Sequence, residues 1–209
     1  MTNVVIKQPD RATAYAETVA AGDVVCCRLH RLACERHLRD LSRVGSPDFP
    51  YHWDPPRSEE ILDFAETLTI LEGPEPRPVK LYGCQCFDLG VPMGWKNRNN
   101  LRRFRRKYKS VARQNGKTFE NGITGSYLGA FGGYKLGKLF CVATGKKQAR
   151  LAWEEIRNFI LADGDLAEYF QIKDYIARAG ERLSALQEPP SMCARKRILT
   201  RSPTESLRK

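Results

Sequence analysis

Apolar residues in the N-terminal part of the chain recur at the spacing of amphipathic helices. Residues 12–21 and 24–43 both show this period, and a third stretch with the same period follows Ser58. Ser58 carries a hydroxyl of the kind that caps helix N-termini, so we expect the third helix to begin there. The apolar face predicted for the second helix consists of Val25, Leu29, Leu32, Leu38 and Leu41.

A different pattern begins at residue 103. Basic and mostly apolar or aromatic side chains alternate over residues 103–112, which predicts a β-strand. A helix is predicted from Thr118, and the short apolar run at residues 138–144 is typical of a buried parallel strand. Residues 148–162 are strongly amphipathic and predict another helix. This order indicates a βαβα unit, which implies an α/β fold with a parallel sheet and a right-handed crossover.

The C-terminal part of the chain has a different character. Residues 177–186 predict one more helix, which Pro189 and Pro190 stop. Residues 191–209 are polar and basic without any periodicity, so we expect a disordered tail.

Positive charge is concentrated in one short stretch. The 209 residues carry a net charge of +11, and ten of the 35 Lys and Arg residues lie between Lys96 and Thr118. The remaining bases nearly balance the 24 acids. Such a stretch fits a polyanionic partner, but a solvated basic face explains the charge equally well.

Composition also bears on where the protein works. No stretch approaches the ~18 apolar residues of a membrane span, and the first residues lack the apolar core of a secretory signal. The seven cysteines are an odd number, which argues against a disulfide framework. We therefore expect a protein with reduced thiols in the cytoplasm and no membrane partner.

The triplet Gly116-Lys117-Thr118 is the core of a phosphate-binding loop. Glycine lets backbone N–H groups approach phosphate oxygens, lysine reaches the β- and γ-phosphates, and a hydroxyl ligates Mg²⁺. The following helix directs its positive N-terminus at the anion. The full pattern has a glycine where this chain has Val111, and Gln114 and Asn115 can supply the small polar turn that glycines usually provide. The alternative is a surface loop in which the triplet occurs by chance.

An ATPase also needs an acidic residue at the end of a second core strand, where it holds Mg²⁺. The candidate is Asp163, which follows the apolar residues 159–162. The helical pattern of residues 148–162 runs directly into it, so we interpret Asp163 as the end of a helix instead.

Several motifs together resemble one family, the terminase large subunits of tailed bacteriophages. Residues 112–118, A-R-Q-N-G-K-T, are similar to that family's A-R-K-N-G-K-[S/T] phosphate loop. Other motifs follow in the family's order over roughly residues 15–175: E-R-H-L-R-D-L at 35–41, F-P-Y-H-W-D at 49–54, Q-C-F at 85–87 with G-W at 94–95, R-R-F-R at 102–105, and A-T at 143–144 with Q-A-R at 148–150.

The resemblance implies an ATP-driven motor that packages viral double-stranded DNA into a procapsid. Its fold would be a P-loop NTPase parallel sheet flanked by helices and preceded by an N-terminal helical subdomain. The implied domains are a helical subdomain with the adenine-side segment at 1–95, a partial ATPase core at 96–175, and a helix plus tail unlike the family at 176–209. Implied partners are the small terminase subunit, the portal and further copies in a ring, in the cytoplasm of a bacterial host.

The resemblance also assigns roles by position. Lys117 would bind the β- and γ-phosphates of ATP, and Thr118 would ligate Mg²⁺ through its hydroxyl. Gln114, Asn115 and Gly116 would hold phosphate through backbone N–H groups, and Arg113 would stabilise charge as a catalytic residue beside Lys117. Gln85 would read the adenine edge.

The chain departs from the family in three places. Cys84 stands where the family usually has tryptophan, which puts adenine stacking in doubt. After about Tyr175 neither the acidic strand nor the carboxylate-rich nuclease domain of the family is found. A truncated or frameshifted prophage gene product is the hypothesis that fits, and we expect nucleotide binding with weak hydrolysis.

Two further interpretations remain open. The basic residues could contact DNA phosphates, or they could face the nucleotide or a neighbouring subunit. A third alternative is that they protect a solvated edge strand from aggregation. The candidates for DNA contact are Arg102, Arg103, Arg105, Arg106 and Lys107. A basic nucleic-acid-binding module without enzymatic activity is therefore the main alternative function. A zinc-stapled interaction protein is another, because Cys27, His30, Cys34 and His37 share one helix face. A straight helix cannot bring four ligands around one ion, so core packing is favoured.

Overall fold

The computed structural model describes residues 9–132, 138–173 and 176–179. These residues belong to two compact units, the first formed by the described residues up to Leu62 together with Leu81–Tyr108, and the second by Asp63–Lys80 together with the described residues from Lys109 onward. The helices of the described residues are α1 Arg11–Ala21, α2 Arg28–Ser42, α3 Pro55–Thr67, α4 Gly83–Gly94, α5 Lys117–Phe131, α6 Lys146–Ala162 and α7 Gly164–Tyr169. The strands are β1 Tyr51–Trp53, β2 Thr69–Ile70, β3 Arg77–Pro78, β4 Trp95–Asn97, β5 Phe170–Lys173 and β6 Ile176–Ala179.

The first unit packs α1 against α2 and α4. Asp10 caps α1 by accepting the backbone N–H of Thr13, and Gly22 ends the helix in the left-handed conformation that glycine adopts most readily. The buried core combines small residues of α1 with larger ones from the other elements: Ala12, Ala16, Val19, Cys34, Phe49, Phe87, Val91 and Trp95.

The buried face of α2 differs from the predicted one. Leu38 and Leu41 are partly buried against the core, as predicted. Val25, Leu29 and Leu32 are exposed instead, and the buried residues are Cys34, His37 and Asp40. Polar groups can occupy this face because each polar side chain has a partner: His37 contacts Thr13 and Trp95, and Asp40 pairs with Arg103. Core packing is thus confirmed for Cys34 and the hydrogen-bonded His37, but it is wrong for Cys27, which is exposed.

A short hairpin of β1 and β4 brings two tryptophans together, with Trp53 opposite Trp95. Gly94 lies immediately before β4, and a Cβ atom there would lie 2.5 Å from the Trp53 ring. Glycine is therefore the residue that lets the indole of Trp53 lie against the backbone of α4.

The second unit is built on the packing of α5 against α6. Gly122 and Gly125 lie on the contact face of α5, where added Cβ atoms would approach Glu155, Phe159 and Ile156 of α6 to 2.8 Å or less. Small residues at these positions let the two helices approach closely. The predicted helices at 118–131 and 148–162 are confirmed as α5 and α6.

The predicted parallel sheet is not found in the described residues. Their sheets are three antiparallel pairs, β1 with β4, β2 with β3, and β5 with β6. Residues 104–112 and 138–143 lie in no strand. Leu139, Phe140 and Val142 are 54, 77 and 87% exposed. A strand needs a neighbour for its backbone N–H and C=O groups, and the pattern of one segment does not supply that neighbour.

The last described residues also differ from the prediction. Residues 176–179 form β6, paired antiparallel with β5, where a helix over 177–186 was predicted. The rest of that helix and the predicted tail at 191–209 lie outside the described residues. No helix in the described part of the chain combines the length and apolar character needed to cross a bilayer.

Candidate nucleotide-binding site

The loop at 113–116 makes a tight turn directly before α5. Gln114 and Gly116 both have left-handed backbone conformations, with φ of 61° and 68°. Gly116 adopts this conformation without steric cost, whereas at Gln114 it costs roughly 1 kcal/mol or more. Gln114 thus makes one of the turns for which phosphate loops usually use glycine, as the sequence predicts.

The N-terminus of α5 faces this loop. The helix begins at Lys117, and its first intrahelical bond runs from the Glu120 N–H to the Gly116 carbonyl over 2.9 Å. Helix geometry therefore leaves the N–H groups before Glu120 without an intrahelical acceptor. These groups and the helix dipole favour an anion at the loop.

Lys117 folds back over the segment that leads into the loop. Its Nζ donates to the Val111 carbonyl at 2.7 Å and to the Ala112 carbonyl at 2.9 Å. An ammonium group has three donors, so two are used by the backbone. Thr118 follows with an exposed side chain, and the Asn115 amide donates to the Arg113 carbonyl at 3.0 Å. Residues 113–116 therefore form one turn at the surface together with the first two residues of α5.

One pair of residues at this loop was missed by sequence reasoning. Lys109 donates to the carboxylate of Glu120, which lies in the first turn of α5 and is 3% exposed. A signal was present in the sequence, since Glu120 is the first acid after Asp88. Many Lys and Arg residues precede Glu120 in the sequence, and only the folded structure shows that Lys109 is its partner.

Gln85 lies in the first unit, on α4, while the loop lies in the second unit. Its side-chain oxygen accepts the Tyr82 N–H at 2.9 Å and so caps the start of α4. This local bond explains a glutamine at the position without any ligand, and the adenine-reading role stays a prediction from the resemblance.

The basic residues of the stretch have different surroundings. Arg103 pairs with Asp40 at 2.8 Å, and its guanidinium lies 4.4 Å from the centre of the Tyr51 ring. The rings of Phe49, Trp95 and Phe104 also lie within 5.2 Å of this guanidinium. Arg103 therefore acts as a packed part of the first unit.

The other candidates for DNA contact lie nearer the surface. Arg102 is half-buried and reaches the sulfur of Met93 at 4.0 Å. Lys107 is exposed and donates to the Asp88 carbonyl at 2.7 Å. Arg105 and Arg106 are exposed, so they are the guanidinium groups best placed to meet a large anion.

Asp163 ends one helix and begins the next. It follows α6, and its carboxylate accepts the Leu166 N–H at 2.9 Å as the N-cap of α7. Burial raises the pKa of this carboxyl above its usual value. The interpretation of Asp163 as a helix end is confirmed.

Comparison with known proteins finds one family that this segment resembles. Residues 84–173 match the family model described as terminase large subunit, ATPase domain. The match includes the loop, α5 and α6, as well as Gln85 on α4. Searches of curated proteins and of solved structures found no match. Residues 84–173, somewhat less than half of the chain, are therefore similar to a terminase large subunit ATPase domain, the family that the motifs of the sequence predicted.

Proposed function

We propose that the chain binds Mg-ATP at residues 113–118 as part of a viral terminase motor that packages phage DNA into procapsids. The observation that carries the proposal is the family match over residues 84–173, which contains a left-handed Gly116 directly before the N-terminus of α5. That combination suits a triphosphate because backbone N–H groups, a lysine and a hydroxyl converge on one anion.

Each residue of the loop has a role in this proposal. The N–H groups of Gln114, Asn115 and Gly116 hold phosphate, and Arg113 stabilises charge beside it. Lys117 leaves its two backbone carbonyls and donates to the β- and γ-phosphates. The Thr118 hydroxyl, exposed at the start of α5, is the protein ligand for Mg²⁺. The metal would neutralise phosphate charge when bound.

We further propose that binding is stronger than turnover. Hydrolysis needs a carboxylate that holds Mg²⁺ and another that orients water. The carboxylate of Asp163 instead caps α7, which supports the proposal that hydrolysis is weak.

The parallel sheet of the family belongs to the same proposal. Residues 103–112 and 138–144 have the alternation and the apolar run of two core strands. We propose that they pair as such when the motor assembles on its partners. Those partners would be double-stranded DNA, the small terminase subunit, the portal and further copies of the chain, in the cytoplasm of a bacterial host. Arg105 and Arg106 are the proposed DNA contacts because both are exposed.

The direct test is equilibrium binding of a fluorescent ATP analogue with and without Mg²⁺. We expect binding that weakens on addition of EDTA and is lost in Lys117→Ala. Lys147→Ala is the matched control, because Lys147 is an exposed lysine at the start of α6. Equal binding by both variants would contradict the proposed site. DNA binding by a parent protein that binds no ATP would favour the nucleic-acid-binding module instead.

A further inference from the structure

The segment that enters the phosphate-binding loop is attached to α5 at two points. Lys109 contacts Glu120 in the first turn of the helix, and Lys117 bonds the carbonyls of Val111 and Ala112. The loop at 113–116 closes between these attachments. The segment before the loop is therefore held against the start of α5, which follows the loop.

The inner attachment changes when nucleotide binds, and the outer one does not have to. In the proposed function Lys117 turns from the carbonyls to phosphate, so its two bonds to residues 111 and 112 are lost. The contact between Lys109 and Glu120 involves neither of those carbonyls and can persist. It would then be the attachment that holds the loop against α5 in the bound state.

Burial makes this contact suitable for holding a fixed geometry. The side chain of Glu120 is 3% exposed and that of Lys109 is 19% exposed. Glu120 also accepts the Thr124 hydroxyl through its backbone carbonyl at 2.8 Å, within α5. A charge pair shielded from water is weakly screened, and loss of one partner leaves a buried charge.

We propose that Lys109 and Glu120 are positioning residues for nucleotide binding, whose ion pair holds the phosphate-binding loop in register with the N-terminus of α5. This rests on the proposed function and deepens it. Neither residue needs to touch the nucleotide. Their effect reaches it through the backbone of residues 110–116.

Two substitutions separate positioning from simple charge. Lys109→Met removes a positive charge near an anion site, so both explanations expect weaker binding of the Mg-bound ATP analogue. Glu120→Gln removes a negative charge, so charge alone predicts tighter binding, whereas loss of positioning predicts weaker binding. We expect both variants to bind about tenfold more weakly, equivalent to about 1.4 kcal/mol.

Rescue and a double-mutant cycle complete the test. Lys109→Arg should retain most of the affinity for the analogue. The double variant Lys109→Met/Glu120→Gln should bind the analogue no more weakly than either single variant, because the same interaction is lost in all three. Glu154→Gln is the matched control, since it breaks the exposed pair of Arg150 and Glu154 on α6. Thermal melting without nucleotide checks that the variants fold.

The possible results distinguish failure of the positioning role from failure of the proposed function. If Glu120→Gln binds the analogue as tightly as the parent or more tightly, or if the two substitutions add in the cycle, the positioning role is wrong while the proposed function stands. If Lys109→Met fails to fold, Lys109→Arg and Glu120→Gln decide the matter by the same measurement. If the parent does not bind the analogue at all, both proposals fail together.

Discussion

His37 shows how the fold determines the chemical state of a single residue. The indole N–H of Trp95 can only donate, and it does so to Nδ1 of His37 at 2.9 Å. Nε2 therefore carries the proton and donates to the Thr13 hydroxyl at 3.0 Å, which in turn donates to Asp10 at 2.7 Å. The imidazole is held neutral because a single neutral tautomer both accepts from Trp95 at Nδ1 and donates to Thr13 at Nε2.

This arrangement predicts acid sensitivity of the first unit. Burial lowers the pKa of His37 to about 4 from 6.5, against the attraction of Asp10 and Asp40. The unfolded chain then binds more protons between these values, so stability is fully present above pH 6.5 and is lost as pH falls towards 4. The loss should be on the order of 3 kcal/mol. Urea unfolding across this range measures it, and an equally steep pH dependence in His37→Gln would contradict the assignment to His37.

Arg103 gives a second prediction at the residue scale. Its planar guanidinium pairs with Asp40 and lies over aromatic rings, a geometry that lysine cannot reproduce. Arg103→Lys should therefore destabilise the protein by about 1–3 kcal/mol in urea unfolding. Arg105→Lys is the matched control because Arg105 is exposed, and it should change stability by less than about 0.5 kcal/mol. Equal effects of the two substitutions would contradict the structural role of Arg103.

Single residues also show where sequence reasoning succeeds. The turn at Gly116 and the helix after it follow from the triplet, because local backbone preferences decide both. The pairing of Arg103 with Asp40, or of Lys109 with Glu120, does not follow from local preferences. Each depends on which of many charged neighbours the fold brings close.

At the scale of elements, the contact of α5 with α6 depends on glycine. A Cβ atom at Gly122 would lie 2.8 Å from the ring of Phe159, which is buried. A Cβ atom at Gly129 would meet its nearest neighbour at 3.4 Å, an ordinary contact. The two positions lie on the same helix and differ mainly in the space available for a Cβ atom.

This difference predicts opposite effects of alanine at the two positions. Gly122→Ala should destabilise by about 1–3 kcal/mol because the helices must move apart. Gly129→Ala should be neutral or stabilise by up to about 1 kcal/mol, since alanine favours the helix. Thermal melting compares the two variants directly. Stabilisation by both substitutions would show that α5 and α6 do not pack as closely as described.

Elements also differ in how well their patterns predict them. α5 and α6 were predicted because a helix satisfies its own backbone hydrogen bonds, so its apolar period is sufficient evidence. The strands predicted at 103–112 and 138–144 needed each other as partners, and the described residues do not pair them. The face of α2 was predicted only in part: Leu38 and Leu41 pack against the core, but the face also buries His37 and Asp40, whose partners come from other elements.

At the scale of the whole molecule, the account predicts a protein that binds nucleotide but turns it over slowly. The proposed phosphate-binding loop has a lysine and a hydroxyl, whereas Asp163 serves as a helix cap. A phosphate-release assay with saturating Mg-ATP should give little product above the background of Lys117→Ala. Turnover at the ordinary rate of ATPases, lost in Lys117→Ala, would contradict this prediction and would show that another carboxylate completes the site.

The central claim is that residues 113–118 and the N-terminus of α5 bind the triphosphate of ATP. A crystal structure with Mg²⁺ and a non-hydrolysable ATP analogue tests it most directly. We expect the phosphates to lie on the backbone N–H groups before Glu120, with Lys117 moved from the Val111 and Ala112 carbonyls to phosphate oxygens. A nucleotide bound elsewhere, with Lys117 still on those carbonyls, would contradict the account.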